Sequence, residues 1–136
     1  MANTVTITNI LPRHSEVVVY ATILSDGTEL TDQVIYDSSV VATALGIADP
    51  LKCKLLGVKY VCSTLLDLAR LEFDATTDVV ALALPGGAGS QLDWCFDEFG
   101  GLPNYAGTGI TGDITLTTTA LEANAMLTII LRVRPH

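Results

Sequence analysis

The sequence is poor in charged residues and has almost no histidine. Only 16% of its 136 residues are charged, and its two histidines are His14, in an apparent loop, and His136, at the end of the sequence. A catalytic histidine must be oriented by packed neighbours, and neither position favours that. The sequence therefore does not support Ser-His-Asp or Cys-His chemistry, and we predict that the chain is not an enzyme.

Positive charge and long apolar segments are also scarce. Seven Lys and Arg residues stand against fifteen Asp and Glu residues, for a formal net charge of -8 at pH 7. A surface of this sign repels phosphate groups, so we do not expect nucleic acid as a partner. No apolar run approaches the roughly 18 residues of a membrane-spanning helix, and residues 1–4 do not resemble a signal peptide. We expect a soluble protein that is made in the cytoplasm and has no membrane partner.

Cysteine is also rare, and its spacing indicates no special chemistry. Cys53, Cys62 and Cys95 form no Cys-x-x-Cys motif, and an odd number of thiols cannot all pair within one chain. This usage is typical of a reducing compartment, where small apolar thiols are packed in the core. We predict three buried thiols.

The most frequent pattern in the sequence is a period of two, which is typical of β-strands with one buried face. In the segment 69–74, Ala69, Leu71 and Phe73 alternate with charged residues, and the segment 127–134 has one wholly apolar face. Clusters of turn residues separate such segments at short intervals. The sequence therefore predicts an all-β fold, an antiparallel β-sandwich, in a single domain that spans residues 1–136.

Two segments, 17–24 and 79–84, are apolar on both faces. This pattern indicates strands in the middle of a covered sheet, or strands that a neighbouring subunit covers.

One short segment, 38–45, has helical spacing. Val40, Val41, Ala44 and Leu45 would lie on one side of this helix of at most two turns. A capping side chain at residue 37 or 38 and a glycine at residue 46 mark its two ends.

Clustered carboxylates are the remaining candidates for catalysis or metal binding. Asp93, Asp97 and Glu98 lie close together in the sequence, and Asp74 and Asp78 bracket a turn. Two carboxylates suffice for glycoside hydrolysis, and their oxygens could also bind calcium. However, Asp93 falls on a predicted solvent face, turn aspartates have hydrogen-bonding roles, and the spacing matches no EF-hand. We predict no catalytic residue and no metal site.

A glycine motif at residues 107–112 fits the Gly-x-Gly-x-x-Gly pattern of dinucleotide-binding proteins. That pattern requires a helix directly after the glycines, because the helix N-terminus receives the pyrophosphate. Here a β-branched segment, 113–118, follows instead. The glycine-rich segment 85–90 also lacks the Lys-Ser or Lys-Thr pair of a phosphate loop. We therefore predict no cofactor.

A long irregular segment, 97–112, contains the best candidates for a binding surface. Phe99, Leu102 and Tyr105 lie within it, and Trp94 and Phe96 lie just before it. Aromatic side chains at loop tips are favoured anchors of protein interfaces. We predict that these five residues contribute to a protein interface; the alternative for Trp94 and Phe96 is a place in the core.

Several motifs in the second half of the chain resemble a group of short virion proteins of tailed bacteriophages, the head decoration or cement proteins. The order and spacing of the motifs are also similar. The segments that resemble the family are Asp-Ala-Thr-Thr-Asp-Val at 74–79, Leu-Pro-Gly at 84–86, Phe-Asp-Glu-Phe-Gly-Gly-Leu at 96–102, Thr-Gly-Asp-Ile-Thr-Leu-Thr-Thr at 111–118 and Ile-Ile-Leu-Arg-Val at 129–133.

The resemblance implies a β-sandwich of jelly-roll type that forms trimers. It further implies that the protein lies on the outer surface of the virion head, binds the major capsid protein and clamps neighbouring capsomers. Two alternatives remain open from the sequence, namely a tail or baseplate structural protein and a carbohydrate-binding β-sandwich module.

Overall fold

A computed structural model of the chain describes residues 4–13, 16–26, 31–46, 53–62, 68–84, 91–96, 100–119 and 123–134. These residues form one short helix and strands that all pair antiparallel, so the predicted fold class is confirmed. The elements are β1 Thr4–Arg13, β2 Glu16–Asp26, β3 Gln33–Tyr36, α1 Ser38–Leu45, β4 Lys54–Cys62, β5 Leu68–Phe73, β6 Val79–Leu84, β7 Gln91–Cys95, β8 Leu102–Pro103, β9 Ile114–Thr119 and β10 Ala123–Arg134.

The strands form two sheets that pack face to face. One sheet has six strands, in the order β1-β2-β10-β4-β7 with β8 beside β4, and the other has four, in the order β3-β9-β5-β6. The antiparallel pairs β2 with β10, β3 with β9, β4 with β7 and β5 with β6 are nested along the chain. A nested antiparallel ribbon wrapped into two sheets is the jelly-roll arrangement.

The core lies between the two sheets and follows the predicted alternation. In β5, Ala69, Leu71 and Phe73 are completely buried. In β10, the apolar face that includes Leu127 and Ile129 is also completely buried. Each sheet thus covers the inner face of the other, as in other sandwiches.

The helix has the predicted bounds and caps. The Asp37 carboxylate accepts hydrogen bonds from the first turn, and Gly46 ends the helix in the left-handed conformation at φ 69°. The predicted apolar side was right for Val41, which is buried, and for Leu45, which packs against the core, but wrong for Val40 and Ala44, which are exposed. The backbone N–H of Ser38, which donates to the Asp113 carboxylate at 2.8 Å, fixes how this short helix lies on the sheets.

The two segments that are apolar on both faces, β2 and β6, are not covered on both faces by the described residues, contrary to the prediction of central covered strands. β6 is the edge strand of the four-stranded sheet, and its Val80 is 46% exposed. β2 is flanked by strands on both sides, but Tyr20 and Leu24 on its outer face are 41% and 43% exposed. The described residues of this chain therefore cover only one face of β2. Cover by a neighbouring subunit stays a prediction.

Candidate protein-binding surface

The strand registers place a broad set of side chains on the outer face of the six-stranded sheet. For example, Tyr20, Ile130, Lys59 and Asp93 are directly paired across four neighbouring strands. Because directly paired residues project from the same side of a sheet, these rows define one surface. The surface, called the outer face below, includes Thr6, Thr8, Ile10, Val18, Tyr20, Thr22, Leu24, Gly57, Lys59, Val61, Gln91, Asp93, Cys95, Met126, Thr128, Ile130 and Arg132.

Five large apolar side chains of the outer face are about half exposed. Ile10, Tyr20, Leu24, Val61 and Met126 are between 41% and 53% exposed. Apolar side chains grouped in this way mark interaction sites, and tyrosine and methionine are enriched in protein interfaces. These side chains therefore make the outer face a candidate protein-binding surface.

A groove of about 200 Å³ crosses the outer face where Gly57 lacks a side chain; Val18, Ile130 and Arg132 are among its lining residues. A Cβ atom on Gly57 would lie 3.2 Å from the Trp94 carbonyl oxygen and 3.8 Å from Cδ of Arg132. The contact with the carbonyl oxygen would be tight, so a side chain here would crowd the neighbouring strand β7, whereas the distance to Arg132 is an ordinary van der Waals contact.

Ion pairing and a thiol contact hold Arg132 across the groove. Its Nε lies 2.7 Å from Oε1 of Glu16, and its Nη1 lies 3.8 Å from Sγ of Cys95. A guanidinium held by a carboxylate at this distance forms a strong, oriented hydrogen bond. The charged groups of the outer face, which also include Lys59 and Asp93, are of both signs.

Trp94 and Phe96, which the sequence placed in a protein interface or in the core, have different environments. Their rings are in contact, with centroids 5.4 Å apart. Phe96 is buried in the core, whereas Trp94 is 51% exposed; its pairing with the buried Val58 places its side chain on the inner face, at the open edge of the sheet. Trp94 lies on β7, an edge strand, so it has a neighbouring strand on one side only. The core alternative thus describes Phe96 but not Trp94.

Among the residues predicted from the long segment, Tyr105 contacts the four-stranded sheet. Tyr105 is 63% exposed, but its hydroxyl donates to the Val80 carbonyl at 3.3 Å and its ring meets the Phe73 ring edge-on at 6.1 Å. Both partners belong to the four-stranded sheet. Leu102 is partly buried against the core, and Phe99 lies outside the described residues. Their role in an interface stays a prediction.

Sequence reasoning did not identify the outer face as the candidate surface. The available signal was the segment 17–24, which is apolar on both faces and includes Tyr20 and Leu24. Val61 and Met126, which complete the surface, come from strands far away in the sequence and gave no signal of their own.

The structure also shows where some of the other residues considered as catalytic, metal or cofactor sites lie. Asp93 is exposed, as expected for a solvent face, while Asp97, Glu98, His14 and His136 lie outside the described residues. β9 follows the glycine motif, as the sequence predicted, so the backbone after the glycines is a strand. No described helix is long and apolar enough to cross a membrane.

Comparison of the chain with protein-family models, with curated proteins and with solved structures finds no match.

The cysteines supply a direct test of the sheet arrangement. Cys53 and Cys62 are buried as predicted, but Cys95 is exposed, because it lies on the outer face of an edge strand. Burial and the nearby negative charge of Asp113 raise the pKa of the Cys53 thiol to about 12, which further lowers its reactivity.

We expect one thiol per native chain to react rapidly with Ellman's reagent, and all three after unfolding in urea. The Cys95→Ser variant should lose the rapid reaction; a second rapid thiol would contradict the burial described here.

Proposed function

We propose that the chain is a structural protein of a tailed-bacteriophage virion, a decoration or cement protein that binds the outer surface of the head. In this role it contacts the major capsid protein and clamps neighbouring capsomers. The observation that carries the proposal is the outer face, a broad sheet surface on which Tyr20, Val61 and Met126 are 41% to 53% exposed. We further propose that the protein acts by binding and not by catalysis.

The composition of the outer face supports a protein partner more than a small molecule. Its apolar residues lie on a continuous sheet, and its charged residues, such as Lys59 and Asp93, are exposed at positions nearer the β7 edge. Interfaces commonly combine an apolar centre with a polar rim. The acidic net charge of -8 also suits a shell exterior, where no contact with DNA is required.

Binding to a repeated lattice explains how a small domain can stabilise a large shell. A contact of about 1,000 Å² or less is weak when it acts alone. A trimer that meets several capsid subunits at once strengthens such contacts through effective concentration. Because the bound protein favours the assembled lattice over its separate parts, the shell is stabilised by mass action. We therefore propose that the protein acts as a homotrimer.

Heat release of DNA from phage heads tests the cement role. Heads that lack the protein should release their DNA at a lower temperature than complete heads, because the clamping contacts are absent. Addition of the purified protein should restore the release temperature, as measured by the fluorescence of a DNA-binding dye. Equal release temperatures with and without the protein would contradict the proposal.

Two other functions have testable signatures. A tail or baseplate protein would be found by peptide mass spectrometry in separated tails and not in heads. The half-exposed ring of Trp94 at the edge of the six-stranded sheet favours a carbohydrate-binding module as the second candidate, since exposed aromatic rings stack on sugars. Saturable binding on a glycan array that is lost in Trp94→Ala would support that function.

A further inference from the structure

Three carboxylates meet on the outer side of the four-stranded sheet, away from the outer face described above. Asp32 precedes β3, Glu72 lies in β5 and Asp78 precedes β6, and one oxygen of each lies within 4.8 Å of the others. These three residues are called the carboxylate cluster. Asp32 and Glu72 are 40 residues apart in the sequence, whereas Asp78 follows Glu72 across the turn between β5 and β6.

The strands of the sheet hold the carboxylate cluster in place. Glu72 is only 6% exposed, although the alternation placed it on a wet face, because β5 has strands on both sides. Its Oε1 accepts a hydrogen bond from the Thr117 hydroxyl at 2.9 Å, and its Oε2 lies 3.3 Å from Nε of Arg70. The Thr117 hydroxyl is also 3.3 Å from Oδ1 of Asp32. One cation beside three anions leaves the group with a formal charge of about -2 at neutral pH.

A buried hydroxyl without a partner gives an independent indication of a ligand. Thr115 is directly paired with Glu72 on β5 and with Val34 on β3, so its side chain leaves the sheet on the same face as Glu72. Thr115 is 1% exposed, and its Oγ1 has no hydrogen-bond partner among the described residues. Since buried polar atoms are nearly always satisfied, this oxygen calls for an ion or a water molecule.

The electrostatics of the cluster favour a positive charge at its centre. Three carboxylate oxygens that lie within 4.8 Å of one another repel when all three groups are ionised. Full ionisation of the cluster is therefore unfavourable in the folded protein without a cation. A bound cation removes this repulsion.

We propose that the carboxylate cluster, together with the Thr115 hydroxyl, binds one calcium ion. Carboxylate and hydroxyl oxygens are hard ligands of the kind that calcium prefers, and a formal charge of about -2 matches a divalent ion. Calcium binds oxygen at 2.3–2.6 Å, so ligands on opposite sides of the ion lie about 5 Å apart. Oxygens that all lie within 4.8 Å of one another fit this sphere, and three carboxylates exceed the one or two that usually hold magnesium.

Such an ion would connect all four strands of the sheet. Asp32 is next to β3, Thr115 lies in β9, Glu72 in β5, and Asp78 is next to β6. Since the unfolded chain cannot bring these residues together, calcium would stabilise the folded state by mass action. This inference does not rest on the proposed function.

Isothermal titration calorimetry of the full chain, stripped with a chelator and dialysed into 150 mM NaCl, tests the proposal. We expect one calcium ion per chain, a melting temperature that rises with calcium concentration, and binding of magnesium that is weaker by about tenfold or more. Sodium chloride at the same ionic strength should leave the melting temperature unchanged. An absence of saturable calcium binding would overturn the proposal.

Matched variants separate a calcium site from general attraction to an acidic protein. Asp32→Asn should weaken calcium binding about tenfold or more, and it should raise the melting temperature of the ion-free protein, because it removes the repulsion. Asp93→Asn, which removes an exposed carboxylate on β7, should bind calcium like the wild type. Asp78→Asn serves as the second cluster variant if Asp32→Asn does not fold. Equal affinities of a folded cluster variant and Asp93→Asn would overturn the site.

Discussion

Leu71→Ala is expected to lower the free energy of unfolding by about 3 to 5 kcal/mol. Leu71 is completely buried, and it is paired with Leu116 on β9 and with Leu82 on β6. Its inner-face position between two neighbouring strands prevents the surrounding side chains from collapsing into the cavity that alanine leaves. A loss of this size is a large part of the total free energy of unfolding of a typical domain, which is about 5 to 15 kcal/mol. Urea unfolding followed by far-UV circular dichroism measures it.

Val40→Ala is the matched control for the loss of an aliphatic side chain. Val40 is 50% exposed on α1, and alanine is a good helix former, so the free energy of unfolding should change by no more than about 0.5 kcal/mol. If the two variants unfolded at the same urea concentration, Leu71 would not lie in a packed core. The sandwich arrangement of the two sheets would then be wrong at β5.

The alternation of apolar and polar residues was sufficient to predict those strands that have one buried face. The inner faces of β5 and β10 are completely buried, as the sequence indicated. Because successive side chains of a strand point to opposite faces, only one register places all the apolar residues of the strand in the core. The ends of the helix could also be predicted from the adjacent residues, since Asp37 and Gly46 satisfy backbone groups that a helix leaves unpaired. The jelly-roll topology, by contrast, came only with the resemblance.

Features that depend on neighbours in space could not be predicted from one strand at a time. Periodicity tells which way a side chain points but not whether another strand lies beside it, so the exposure of Trp94 and Val80 on edge strands was missed. The carboxylate cluster was missed for the same reason. Asp78 was identified as a turn residue, but its approach to Asp32 and Glu72 depends on the pairing of four strands.

Val61→Glu is expected to weaken binding to phage heads by about 100-fold or more. Val61 is 50% exposed on β4 within the outer face, so the proposed docking would bury the new carboxylate without a partner. An uncompensated buried charge costs several kcal/mol, and each 1.4 kcal/mol is about tenfold in affinity. Cosedimentation of the purified variant with heads that lack the protein measures the loss.

The matched control, Val40→Glu, introduces the same charge at an equally exposed valine, which lies on α1 and not on the outer face. A glutamate in the first turn of a helix is also well tolerated, because it complements the helix dipole. This variant should therefore cosediment like the wild type, and both variants should keep the far-UV spectrum of the native fold. Because both variants change the total charge and the side-chain size by the same amount, a difference in their binding to heads can come only from the position of the new charge. Equal binding by Val61→Glu and Val40→Glu would mean that heads are bound through another surface, and the residues around Tyr105 would be the next to vary.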